Sequence, residues 1–77
     1  MALEAILGRP GMHRVVIQQT PHGAYIWVWE RPDSSFAEKD YLQDDLEMAL
    51  RSCELRHGIP RDRWKEIADL ALKRSAR

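Results

Sequence analysis

The chain has a single cysteine, Cys53, in 77 residues, so it has no means of making an intrachain disulfide. It has no net charge either, twelve Lys and Arg matching twelve Asp and Glu, which removes the bulk electrostatic case for a polyanion or an anionic membrane. No apolar run approaches the roughly 20 residues that a membrane-crossing helix needs. The opening residues Met1 to Gly8 carry Glu4 and no basic leader, so they do not read as a signal peptide. Gly8 and Gly11 lack the lysine and the spacing of a phosphate-binding loop. Repeats and low-complexity tracts are also missing. A chain this short buries only about 60% of the surface its unfolded form exposes, and without disulfides the usual supplements are metal or self-association. One free cysteine fits a reducing compartment, and the expectation is a cytoplasmic protein with no membrane segment.

What is present is concentrated between Arg14 and Glu30. Two apolar runs flank Thr20-Pro21-His22-Gly23, and the second carries Tyr25, Trp27 and Trp29 at alternate positions. This pattern predicts a β-hairpin with an aromatic face. Pro21 and His22 suit the first two turn positions and Gly23 a left-handed third, giving a three-residue loop that pairs Thr20 with Ala24. The register then sets Ile17 against Trp27, Val16 against Val28, Val15 against Trp29 and Arg14 against Glu30, a favourable charge pair. One face would carry Val15, Ile17, Tyr25, Trp27 and Trp29, and the other Val16, Ile26 and Val28. A lone hairpin is marginal in water, so both faces must be covered by something.

Elsewhere the signals are helical. Leu3 to Leu7 is too short to decide between a strand and a helical turn, and Gly8, Pro10 and Gly11 end it. A long helix is expected to begin between Glu38 and Tyr41 and to run to about His57. Its stripe would be Leu42, Leu46, Ala49, Leu50 and Cys53, with Tyr41, Met48 and Leu55 off the stripe and Gly58 as terminator. Pro60 would open a shorter C-terminal helix with Trp64, Ile67, Ala68 and Ala71 on one face; the rival is a short strand at Trp64 to Ile67. The fold expected is α+β, a small antiparallel hairpin or sheet packed against one long helix, as one domain over residues 1–77 with 1–12 and 73–77 flexible.

Three site readings follow. Cys53 and His57 are four apart on the helix, a spacing that sets a thiol beside an imidazole for metal binding or nucleophilic chemistry. Cys53 falls on the apolar stripe, however, and four zinc ligands are not indicated by spacing. Asp40 and Asp44 would share a helix face with Asp45 and Glu47 nearby, yet without an EF-hand arrangement they read as solvated helix-opening residues. Tyr25, Trp27 and Trp29 could stack bases, against which stand the neutral charge and seven acidic residues opposite four basic ones between residues 31 and 57. Residues 58–77 reverse that balance with six basic to three acidic, so the two segments complement each other. The expectation is a non-catalytic interaction or assembly module without cofactor, a homodimer or a partner of another protein. It would self-associate through the hairpin, with Tyr25, Ile26, Trp27, Val28 and Trp29 as interface residues; nucleic-acid binding through the aromatic row is the alternative, and Cys/His chemistry the third reading.

Overall fold

Each apolar run of the first thirty residues becomes a strand. The computed structural model describes residues 1–70. Within them β1 (Ala2–Arg9), β2 (Met12–Thr20), β3 (Gly23–Trp29), β4 (Lys39–Gln43), α1 (Leu46–His57), a 3-10 turn (Arg61–Arg63) and β5 (Lys65–Ile67) follow in order. The strands form one antiparallel sheet in the order β4-β3-β2-β1-β5, with α1 against one face. The fold is α+β, a small antiparallel sheet and a helix, as expected.

Turn chemistry explains the first two connections. Pro10 followed by Gly11 at φ 79° is the order a type II turn requires, and it joins Arg9 to Met12. At the second turn the Thr20 hydroxyl accepts from the His22 N–H and donates to the Gly23 carbonyl, both at 3.1 Å. That clamp closes a two-residue loop in which Thr20 pairs with Gly23. The register is therefore one residue away from the expected one: Arg14 faces Trp29, Val15 faces Val28, Val16 faces Trp27 and Ile17 faces Ile26.

Contacts from outside the hairpin decide this. Gly23 has φ 141° and stands in β3, and a Cβ there would lie 2.3 Å from the Gln43 carbonyl of β4. Glycine is needed for the close approach of β4 and not to finish the turn. Arg14 finds its acid in Glu4 of β1, at 2.7 Å, and lays its guanidinium 4.4 Å from the centre of the Trp29 ring. Glu30 instead takes Lys39 at 3.0 Å.

The shift re-sorts the two faces. Directly paired residues share a face, so Tyr41, Ile26, Ile17 and Leu3 form one row under α1 and Lys39, Val28, Val15 and Ala5 the next. Against them pack Ala49, Cys53 and Ile59, with Leu46, Leu50, Leu7, Met12 and Trp64 at the margin. The opposite face carries Leu42, Tyr25, Gln18, Ala2 and Ile67 in one row, Asp40, Trp27, Val16, Glu4 and Lys65 in the next, and Trp29 beside Arg14 beyond. The aromatic residues thus share their face with Val16, and the β-branched residues gather beneath the helix.

α1 is shorter than expected at its start. Asp45 is the N-cap, its carboxylate accepting the Met48 N–H at 2.9 Å, and residues 39–43 pair with β3 as a strand. Aspartates favour caps and turns over helix interiors because their side chains compete for nearby backbone donors, so Asp44-Asp45 breaks the segment where a continuous helix was expected. Leu42 leaves the stripe for the aromatic face. The end behaves as expected: Gly58 sits at φ 65°, its N–H bonds the Glu54 carbonyl, and buried Ile59 donates to the Cys53 carbonyl.

After Pro60 the expected helix is replaced. Arg61–Arg63 makes a single 3-10 turn and Lys65–Ile67 pairs with residues 2–4 of β1, so the strand reading holds there. The gain is backbone pairing for an edge that β1 would otherwise leave open. Ala71 and the segment 73–77 lie outside the described residues. Among those described, no helix is long and apolar enough to cross a membrane.

Candidate interaction surface

The five hairpin residues singled out in the sequence fall on opposite sides of the sheet. Ile26 and Val28 are buried under α1. Trp27 and Trp29, 7% and 5% exposed, pack with Ala2 and Val16 on the other side, where Tyr25, Ala37, Ile67 and Leu70 border them. Tyr25 stacks on Trp27 with ring centres 5.5 Å apart. The cover comes from two parts of the same chain. The connection between β3 and β4 is pinned by Glu38, which accepts from Ser34 and the Glu30 N–H, and it sets Ala37 on the cluster. Beyond β5 the Leu70 N–H bonds Gln18 at 2.8 Å. The two indole rings are thus enclosed, while Tyr25 is half-buried. The indole N–H groups of Trp27 and Trp64 are buried without an acceptor among the described residues.

Cys53 and His57 lie in different surroundings, the thiol buried and the imidazole half-buried. Burial in the core pushes the Cys53 thiol up to about 11, so it carries negligible thiolate near neutrality. His57 is held below its ordinary value by partial burial and then by Arg56, Arg9 and Lys39, while its backbone carbonyl accepts from Arg9. The acidic residues are also dispersed. Asp40 lies on the aromatic face of β4, Asp45 caps α1, and Glu47 is gripped by Arg61, so Asp40 and Asp44 do not share a helix face. Among the described residues no three His, Cys, Asp or Glu side chains converge to hold a metal ion.

The surface that remains is at the β4 margin. β4 is an outer strand of the sheet, with Tyr41 exposed on the helix side and Leu42 on the aromatic side. α1 doubles back along it: Asp44-Asp45 is the whole connection, and at the far end Lys39 lies close enough to His57 to oppose its protonation. On the outer side of α1, touching β4 only at Gln43, lies an open depression of about 280 Å³ lined by Gln43, Met48, Arg51, Ser52, Leu55 and Arg56. Met48–Ser52–Arg56 and Arg51–Leu55 are adjacent rows of four-residue spacing on the helix. Comparison with family models, curated proteins and solved structures returns no match.

Charges of both signs stand along this margin. Glu47 and Glu54, the acids of α1, both turn to Arg61, at 2.5 Å and 3.9 Å. That pairing, with a smaller contribution from Arg51, holds the Glu47 carboxyl below its ordinary value, and it holds the Arg61 guanidinium above its own. Arg51 and Arg56 make no ion pair among the described residues and stand exposed beside Met48 and Leu55, which are 47% and 74% exposed. The sequence held one signal of this surface, since Met48 and Leu55, which line it, fit no buried stripe.

Proposed function

We propose that the chain is a small non-catalytic interaction module of the cytoplasm, and that it works by accepting a partner strand along β4. The observation that carries the reading is the edge itself. A five-residue outer strand presents backbone donors and acceptors to another chain, and Tyr41 and Leu42 add an apolar side chain on each side of it. Lys39 and Asp40 charge the first half of the strand, which leaves Tyr41 to Gln43 as the receptive part. The free, buried Cys53 is in keeping with a reducing compartment.

Self-association, expected through the hairpin, transfers to this edge, because β1 and β4 already occupy both sides of the β2–β3 pair. A second copy joined antiparallel about Tyr41 would set Lys39 opposite Gln43 and Asp40 opposite Leu42, with no like charges facing. Light scattering behind a sizing column at widely spaced concentrations, read together with amide hydrogen exchange, tests the proposal. Protection gained at residues 39–43 as the mass rises above 9.0 kDa supports it, as does the same protection on adding a partner peptide at constant mass. An assembly or complex that forms while residues 39–43 stay unprotected overturns it.

A further inference from the structure

We infer that the connection between β3 and β4 is a strap held shut over the indole cluster by the carboxylate of Glu38, and that releasing this latch uncovers the rings without undoing the sheet. The inference does not rest on β4 being a docking edge. Polar contacts of the strap converge on Glu38. Its Oε1 accepts the Glu30 N–H at 2.9 Å, its Oε2 accepts the Ser34 hydroxyl, and Arg31 Nε stands 3.5 Å away. The first contact ties the end of the strap to its beginning, and the other two draw its middle inward. Ser34 first and then the Glu30 N–H hold the Glu38 carboxyl below its ordinary value, so the latch is ionised near neutrality.

Apolar contact adds little to this hold. Of residues 31–38 only Ser34 and Ala37 are half-buried, and the rest are exposed, Phe36 at 70%. Ala37 packs on the cluster and directly precedes Glu38, so the carboxylate that closes the strap also places the residue that covers the rings. One methyl group buries too little area to fix a segment of this length. Beneath the cover the Trp27 indole N–H is buried with no acceptor among the described residues. Closing therefore leaves a donor dry that water satisfies when the strap lifts, and the latch holds the balance toward the closed state. β4 has its own attachments: the Glu38 N–H bonds the Val28 carbonyl at 2.9 Å, Lys39 pairs with Glu30 at 3.0 Å, and residues 39–43 pair with β3.

Solvent exchange of the indole N–H protons, followed by NMR in the whole chain, tests the inference. Trp64, packed against the helix-side core, is the internal reference for opening of the entire fold. In Glu38→Ala the Trp27 indole proton should exchange at least about tenfold faster, as expected for losing hydrogen bonds to a charged acceptor. Trp64 should be unchanged and the amides of residues 39–43 as protected as before. Glu38→Gln, which keeps one carbonyl oxygen without the charge, should fall between. Asp33→Ala, whose contact is Arg31 at 3.9 Å, should leave the rate alone. If Glu38→Ala does not fold, Glu38→Gln is read by the same criteria. An unchanged Trp27 rate, a rise matched by Trp64, or an equal rise in Asp33→Ala would overturn the inference.

Discussion

Replacing Gly23 by alanine should be among the most damaging single-methyl changes in the chain. Its φ of 141° belongs to a region that L side chains rarely adopt, and the added Cβ would lie 2.3 Å from the Gln43 carbonyl, 3.2 Å from Leu42 Cδ1 and 3.4 Å from the Asp44 carbonyl. Backbone strain of this kind costs about 1–3 kcal/mol. Restoring an ordinary contact of about 3.5 Å requires β4 to retreat from the start of β3, which weakens one or two ladder hydrogen bonds at ~1 kcal/mol each. The sum is roughly 2–5 kcal/mol, against a total of about 4–12 kcal/mol for a chain of this length.

Urea unfolding followed by tryptophan fluorescence measures it. With a slope near 1 kcal/mol/M for a small domain, the midpoint should fall by about 2 M or more. Gly11→Ala is the matched control, since Gly11 also has positive φ, 79°, but nothing lies within 4 Å of its added Cβ; it should lose only ~1–2 kcal/mol. Amide shifts in folded Gly23→Ala should concentrate in residues 39–44. A loss no greater than that of Gly11→Ala, with β4 unshifted, would refute the argument that Gly23 exists to admit β4.

Asp45→Ala removes the acceptor for the Met48 N–H and should cost about 1 kcal/mol, read as a lower urea midpoint with faster exchange of the Met48 amide; an unchanged midpoint would move the helix start back toward residue 40. Cys53 should resist maleimide at pH 8 in the folded chain and label on unfolding, because raising its pKa from 9.0 to about 11 cuts the thiolate fraction about a hundredfold. Since the folded value is the higher one, the stability it contributes is whole below pH 9 and drains as pH climbs toward 11. Labelling of the native chain at the rate of a free thiol would contradict the burial of Cys53.

What the sequence discloses and what it conceals divide according to range. Alternation at Tyr25, Trp27 and Trp29 with Thr20-Pro21-His22-Gly23 is a local signal, and so is the Ala49–Cys53 stripe ended by Gly58; both produce the elements they announce. The hairpin register is not local. It follows from the Gln43 carbonyl, twenty residues on, pressing against Gly23, and from Glu4 and Trp29 competing for Arg14. Leu42 stands four residues before Leu46 and so imitates a helical stripe, yet its neighbours pair with β3 because that strand needs a partner on its outer side. Lys65–Ile67 has too few residues to show a period and becomes a strand because β1 offers an edge. The aromatic row was legible as a sticky surface, whereas its cover by Ala37, Ile67 and Leu70 depends on chain path and could not be read from spacing.

That cover is why the interaction surface we propose lies at the margin of the sheet and not on its faces. α1 takes one face, and the β3–β4 connection with the segment after β5 takes much of the other. At the β1 side the edge is closed by a three-residue strand, and Arg63 caps the Ile6 carbonyl at 2.9 Å. At the β4 side Lys39 reaches back to Glu30 and Glu38 binds Ser34 and Arg31, so these side chains tether the connection between β3 and β4. A chain of 77 residues that folds with a single buried thiol and no metal cluster among its described residues has little stability to spend on an unguarded edge. Retaining one is a cost in aggregation risk, and the strand binding we propose there would offset it.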